Sequence, residues 1–160
     1  MTQEKEVELL TVQDKWEIPY AYSAGETVSK FLVELRDNAR ILATKCPKCQ
    51  QILLPPRSFC ATCFVSLKDQ WVEIEPVGEL VTYSICTEAI PGAPKPPYVV
   101  AFVTLGGSST PMAQFLEGLD LSDIDKVAKE LKVCMPVKAV FKDKAERKGS
   151  ILDFHIELVK

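Results

Sequence analysis

At 160 residues the chain has room for one domain, or for one domain with a small appended module. Its 47% hydrophobic and 26% charged residues suit a globular protein, and no apolar run nears the roughly 20 residues that cross a bilayer. A formal net charge of −3 runs against a protein built to hold nucleic acid by phosphate neutralisation, because counterion release needs a basic surface.

The opening segment, Met1-Thr2-Gln3-Glu4-Lys5-Glu6, has neither the apolar core of a secretory signal nor the basic amphipathic character of a transit peptide. The expected location is the cytoplasm, where thiols stay reduced and paired cysteines more often hold metal than form disulfides. Within residues 1–22, Trp16, Ile18, Tyr20 and Tyr22 alternate with Glu17, Pro19 and Ala21, and Pro19 interrupts any helix. This reads as an extended arm with one apolar edge, free either to fold back on its own domain or to lie across a partner. Ser23-Ala24-Gly25-Glu26 has the spacing of a capping box. Val28, Phe31, Leu32, Leu35 and Ala39 then recur at intervals of three and four, which predicts a helix ending near Asp37-Asn38. A short strand, Ile41-Leu42-Ala43-Thr44, follows.

The strongest signal comes next. Cys46-Pro47-Lys48-Cys49 and Cys60-Ala61-Thr62-Cys63 are two Cys-x-x-Cys pairs bridged by Ile52-Leu53-Leu54-Pro55-Pro56-Arg57. Two such knuckles at this separation can converge on one ion, as in a zinc ribbon. Four thiolates satisfy the tetrahedral preference of Zn²⁺ and leave no open position for water or substrate, so the site reads as structural. Around it, Arg36, Arg40, Lys45, Lys48, Arg57 and Lys68 face a single acid, Asp37. These cations are either solvated residues around an acidic metal centre or a docking surface for phosphates or an acidic partner.

Beyond the second knuckle, Trp71 to Ile74 is a strand that ends in a turn before Gly78. The period then becomes two: Val81, Tyr83 and Ile85 oppose Thr82, Ser84 and Cys86. Pro91-Gly92-Ala93-Pro94-Lys95-Pro96-Pro97 is a stiff loop. Tyr98 to Leu105 is nearly all apolar, which predicts burial on both faces, and after the Gly106-Gly107-Ser108 turn a third strand runs from Pro111 to Leu116. Ser122-Asp123-Ile124-Asp125 starts a second helix with Ile124, Val127, Ala128 and Leu131 on one face. Two strands close the chain. Val137, Ala139 and Phe141 share one face of the first; in the second, Leu152, Phe154, Ile156 and Leu158 alternate with Asp153, His155 and Glu157. Charged residues 143–149 join them. The order strand, strand, strand, helix, strand, strand is that of the five-stranded Greek-key barrel called the OB-fold. The expected fold class is mainly β with short helices: an N-terminal arm and helix over 1–40, a rubredoxin-like zinc ribbon over 41–70, and an OB-fold over 71–160.

No catalytic residue emerges. His155 is the only histidine and stands opposite the apolar set of the last strand, facing solvent, without a neighbouring nucleophile. Cys86 and Cys134 lie in or beside apolar strands and read as small core residues. Gly106-Gly107 precedes a strand rather than a helix, so the geometry that cradles phosphate is missing. Asp120, Asp123 and Asp125 crowd a helix start, where the dipole favours them. The chain is expected to do no chemistry alone.

Five stretches together carry a resemblance. They are Leu42 through Cys49; Leu54-Pro55-Pro56-Arg57 with Cys60 and Cys63; Gly78 through Ser84; Pro97 through Leu105; and Met135 through Phe141. In this order, over roughly residues 25–159, the chain resembles the zinc-ribbon/OB-fold acyl-CoA-associated proteins, long known as a domain of unknown function. The resemblance implies a non-catalytic accessory subunit of a thiolase-superfamily enzyme, a class that includes the small subunit of benzoylsuccinyl-CoA thiolase. It implies a hetero-oligomer with a thiolase-fold subunit, support for binding the coenzyme A thioester of the acyl substrate, and neither nucleic acid nor membrane as partner. Cys46, Cys49, Cys60 and Cys63 are then the ligands of a structural zinc. Lys45, Lys48 and Arg57 are the candidates to face the phosphates of coenzyme A or acidic groups on the partner, arginine gripping two oxygens where lysine acts as a point charge.

The chain departs from the family pattern in the residue after each second cysteine. Glycine is usual there because the turn favours positive φ, yet Gln50 and Phe64 occupy those places, which predicts a wider or strained turn and leaves Phe64 as a surface contact. Cys134 likewise replaces a glycine before the fourth barrel strand. Two other functions fit parts of the pattern. OB-folds also bind single-stranded nucleic acid on basic, aromatic faces, for which Tyr83, Tyr98 and Phe102 are available. Four cysteines also hold iron in an electron carrier.

Overall fold

Helix α1 (Gly25–Asn38) buries Phe31 and Leu35, four residues apart, and leaves Val28 at its exposed first turn. A computed structural model describes residues 10–13 and 18–159, so Trp16 of the predicted arm lies outside the described residues. The predicted capping box does not form. The N-cap is Ala24, with no side-chain cap, and Ser23 Oγ instead accepts from the amide of Gly25 at 3.2 Å, because the serine sits one residue too early. At the other end Ala39 turns left-handed (φ 52°) and the Arg40 amide reaches back to the carbonyl of Glu34 at 3.3 Å. The Arg147 guanidinium donates to the carbonyl of Leu35 at 3.1 Å, placing a cation where the helix dipole is negative.

Strand β1 (Ile41–Lys45) is the centre of a three-stranded sheet, flanked by β2 (Ile52–Leu53) and β5 (Trp71–Ile74). Its register with β5 runs antiparallel from Ile41 opposite Ile74 to Thr44 opposite Trp71. β5 lies just beyond residue 70, the expected end of the ribbon, yet its hydrogen-bonded partner is the strand that feeds the first knuckle. Strands β3 (Phe59–Cys60) and β4 (Val65–Ser66) form a separate two-stranded hairpin.

The remaining strands are β6 (Val77–Cys86), β7 (Tyr98–Leu105), β8 (Met112–Leu116), β9 (Pro136–Phe141) and β10 (Phe154–Leu158). They close into a barrel of order β10-β8-β7-β6-β9, the expected five-stranded OB-fold, with α2 (Ile124–Glu130) between β8 and β9. β6 is long enough to serve two neighbours: residues 77–79 pair with β9, while residues 78–86 pair with β7. A Cβ on Gly78 would fall 1.7 Å from the carbonyl oxygen of Thr104, so only glycine fits where these strands meet. The α2 N-cap is Asp123, whose carboxylate accepts from the Lys126 amide at 2.9 Å. No helix among the described residues is long and apolar enough to cross a membrane.

Local geometry overrides the two-residue period in three places. A bulge between Leu80 and Thr82 puts Leu80 inside and leaves Val81 exposed, against the expectation that Val81 shares the face of Tyr83 and Ile85. β7 is not buried on both faces: Val99, Ala101, Val103 and Leu105 point into the barrel, while Phe102 stands 42% exposed outside, since a closed barrel has one interior. In the last segment Leu152 is exposed and Asp153 buried, the reverse of the predicted alternation. Residues Ile151–Asp153 form a 3₁₀ turn, and the Asp153 carboxylate accepts from the amides of Lys148, Gly149 and Ser150 at 3.0, 2.7 and 3.0 Å. Burial alone would raise the pKa of this carboxyl, but those amides hold it below the ordinary carboxylate value.

One large apolar cluster joins Phe31 and Leu35 of α1, Ile41 to Ala43 of β1, Leu54, and the barrel interior. A second, small cluster contains Cys46, Leu53, Cys60 and Leu67. The β7–β8 turn ties the two together. Ser109 donates its amide to the carbonyl of Ile52 (2.7 Å) and accepts on Oγ from the Ile52 amide (3.1 Å). Thr110 accepts on Oγ1 from the Leu54 amide (2.9 Å) and donates its hydroxyl to the Leu54 carbonyl (2.8 Å).

Candidate metal centre

Both knuckles use the same device. After each second cysteine the chain turns left-handed, at Gln50 (φ 62°) and Phe64 (φ 54°), and their amides donate to the carbonyls of Cys46 and Cys60 at 2.9 Å each. The turn is therefore the strained one of the two outcomes predicted, with side chains where glycine costs less. The Cys46 amide is itself held by the carbonyl of Gln51 at 2.9 Å, and the Leu67 amide by that of Ser58 at 2.8 Å.

This arrangement brings Cys46, Cys49, Cys60 and Cys63 together, with all four sulfurs within 4.8 Å of one another. Cys49 Sγ and Cys60 Sγ stand 3.8 Å apart, far too long for a disulfide, whose sulfurs are about 2.05 Å apart. A regular tetrahedron with Zn–S bonds of about 2.3 Å has edges of about 3.8 Å, so the donor set fits that ion. The electrostatics agree. The Cys49 amide, with that of Lys48 beside it, draws the Cys46 thiol down to about 6. Burial, and then the neighbouring thiols, push Cys63 up to about 12. Four thiolates in one small space repel one another, and a divalent cation removes that conflict.

The basic residues named above separate into two groups. Arg36 pairs with Asp37 at 2.8 Å, Arg40 with Glu34 at 2.7 Å and Glu73 at 3.1 Å, and Lys68 with Glu26 at 3.5 Å. Lys45, Lys48 and Arg57 make no ion pair among the described residues and are exposed. Their backbones are well fixed. The Lys45 amide donates to the Gln70 carbonyl at 2.8 Å, and Thr44 Oγ1 accepts from the Arg57 amide and donates to its carbonyl at 3.0 Å each. The three do not converge: Arg57 lines an open groove of about 530 Å³ with Lys68 and the first turn of α1, whereas Lys48 sits on the first knuckle.

The other candidates are dispersed over the barrel. His155 Nε2 lies 3.5 Å from Glu157 and Nδ1 3.9 Å from Glu117, on the outside of β10. The expectation that Cys86 and Cys134 are core residues fails. Cys86 is half-buried at the end of β6, and Cys134 is exposed in the left-handed region (φ 63°), which is why glycine suits that position. Of the aromatics considered for stacking bases, Tyr98 is buried and the Tyr83 hydroxyl donates to the carbonyls of Ala128 in α2 and of its C-cap Leu131, leaving Phe102 as the exposed ring. Phe59 of β3 and Phe64 of the second knuckle stand edge to face at 6.2 Å, a pair that no short sequence pattern marks. In the predicted arm, Tyr20 and Tyr22 stack at 6.0 Å and are each 82% exposed.

Comparison with known proteins follows the same division. Residues 34–68 match the family model described as "ChsH2, rubredoxin-like zinc ribbon domain", and residues 71–142 match "ChsH2, C-terminal OB-fold domain". A solved structure described as "Ltp2-ChsH2(DUF35) aldolase" is similar at a TM-score of 0.59 and 21% identity, covering 86% of this chain and 97% of that one. A protein of unknown function from the DUF35 family of Sulfolobus solfataricus is similar at a TM-score of 0.59 and 22% identity, covering 84% and 87%. No curated protein matches in sequence.

Proposed function

The chain belongs to the zinc-ribbon/OB-fold family that these two models describe, and from that premise we propose that it is the non-catalytic subunit of a larger acyl-CoA enzyme of the thiolase superfamily. One observation carries the reading. A closed set of four thiols, with no coordination position left for a substrate, is clipped to a barrel whose lone histidine, Cys86 and Cys134 stand on different elements, in β10, at the end of β6 and before β9. Such a body is suited to holding and presenting, and the partner would supply nucleophile and base. That a neighbour of the same fold is described together with an aldolase supports a catalytic partner. The same family membership favours a thioester substrate for that partner.

In this reading Cys46, Cys49, Cys60 and Cys63 hold Zn²⁺, which supplies no chemistry beyond cross-linking the two knuckles. Lys45, Lys48 and Arg57, left without ion pairs among the described residues, meet the phosphates of coenzyme A or carboxylates of the partner. The functional units are the arm and helix (1–40), the ribbon (41–70) and the barrel (71–160), with β5 bridging the last two. Six cysteines without a disulfide fit a reducing compartment, the cytoplasm.

The test is affinity capture of the tagged full chain from its source organism, followed by mass spectrometry and elemental analysis. The expected result is a stoichiometric thiolase-fold subunit and about one zinc per chain. A protein that elutes alone, or a coloured iron-containing one, overturns the reading.

A further inference from the structure

The two knuckles have the same backbone and different reasons for it. At Gln50 the left-handed residue repays part of its strain locally, because its side-chain Nε2 donates to the carbonyl of Pro47 at 2.8 Å and closes its own turn. Phe64 has no such bond. Its ring is 79% exposed and covers no core; its aromatic neighbour is Phe59, itself 46% exposed, at 6.2 Å in an edge-to-face arrangement. Single exposed apolar residues need no explanation. An exposed phenyl ring held in a conformation that favours glycine, on a hairpin pinned by the thiol cluster, does.

We propose that the Phe59–Phe64 edge of the ribbon is the anchor by which this chain seats itself in an apolar socket, rimmed by carboxylates, on its catalytic partner subunit. The proposal rests on the accessory-subunit reading and adds the surface and the chemistry of its complement. The charge pattern selects the occupant. From Lys45 to Lys68 the chain has no aspartate or glutamate, although the whole chain is net negative; Lys68 is taken by Glu26, and Lys45, Lys48 and Arg57 keep no ion pair among the described residues. A partner matching this lobe therefore presents acids around an apolar centre. Aromatic and arginine anchors are also the residues that dominate binding energy at protein interfaces. Phe59 pairs across to Ser66, and Phe64 lies between Cys63 and β4, so both rings project from backbone already fixed, and little ordering remains to oppose association. Single-stranded nucleic acid fits less well: two edge-to-face rings do not offer the successive parallel faces on which bases stack.

Replacing Phe64 with Gly separates binding from folding, because glycine relieves the positive φ. The captured native complex from the source organism is compared for wild type, Phe64→Gly, Phe59→Thr and Lys48→Glu/Arg57→Glu. Expected results are full zinc content and an unchanged or higher Tm for Phe64→Gly, with at least a tenfold loss of the partner subunit. Phe59→Thr should lose a similar amount. The charge reversal should slow association and flatten its salt dependence. If wild type captures the partner and Phe64→Gly and Phe59→Thr capture it equally well, this surface is not the anchor, while the accessory role stands. If wild type instead self-associates through these rings, or retains nucleic acid and no enzyme subunit, both the anchor and the accessory role are wrong.

Discussion

The ribbon and the barrel solve the same problem with different means. The barrel buries a continuous apolar interior, from Leu80 through Val99, Ala101, Val103 and Leu105 to Phe154 and Ile156, and closes its own strand edges. The ribbon hairpins are two residues long, and half of their buried set consists of the candidate ligands Cys46 and Cys60, beside Leu53 and Leu67. So small a cluster does not offset the entropy of ordering some twenty residues of chain. The difference teaches that one lobe is held by area, while the other, too small for that, has a thiol set fit to be held by coordination. It also bears on the ribbon's surface: a lobe that a metal at these thiols would fix can carry large exposed rings, because its fold would not depend on burying them.

Removing the metal is the strongest way to break this comparison. Structural zinc contributes on the order of 10 kcal/mol to folding. Chelation, or Cys49→Ser, should therefore abolish hydrogen-exchange protection across residues 44–67 while β7 and β8 stay protected. Simultaneous loss of protection in both lobes would show instead that they are one cooperative unit. The reciprocal change is Phe154→Ala, which empties a fully buried site packed against Phe141 at 5.4 Å. It should cost about 3–5 kcal/mol in urea unfolding. Zinc content per folded molecule should not change.

The two lobes also differ in how far they could be read in advance. The cysteines were legible because tetrahedral coordination restricts residue type and spacing at once, and β9 and most of β10 because a barrel wall imposes an alternation of inward and outward side chains. What escaped depends on contacts that no short window contains. β5 finds its partner, β1, some thirty residues upstream. Val81 leaves its face because of a bulge, and Cys134 stands exposed at a left-handed turn before β9 that the strand pattern does not reveal. Asp153 and Leu152 exchange places because three amides of the preceding turn can satisfy a buried carboxylate, a gain that polarity patterns count as a cost.

That carboxylate gives the barrel a pH dependence of its own. Its folded pKa is depressed, so the stabilisation is fully present above the unfolded value of about 3.9 and disappears as pH falls through the lower folded value. Asp153→Asn should cost about 2 kcal/mol at neutral pH, since an amide group in its place accepts fewer of the three bonds. It should also reduce the slope of stability against pH below 4, measured by urea midpoints. An unchanged acid slope would assign the sensitivity to surface groups such as Glu34 and Glu157, whose carboxyls are also held low, by hydrogen bonds from Asn38 and from Lys138 respectively.

The smallest effect falls on the seam, where the comparison is sharpest. Thr110→Val keeps the shape of the side chain and removes both hydrogen bonds to the buried Leu54 backbone. Each bond is worth about 1 kcal/mol, so the expected loss is 1–2 kcal/mol, on the scale of a neutral pair partly relaxed. The informative quantity is coupling, not the loss itself. With the seam intact, part of the metal's contribution reaches the barrel through Leu54, whose side chain belongs to the barrel's cluster although it stands on the bridge between the knuckles. In a double-mutant cycle with Cys49→Ser, the two changes should therefore cost less together than the sum of each alone. Strict additivity would mean that the lobes share a surface without sharing stability, and that the ribbon can tilt on the barrel without the barrel sensing it.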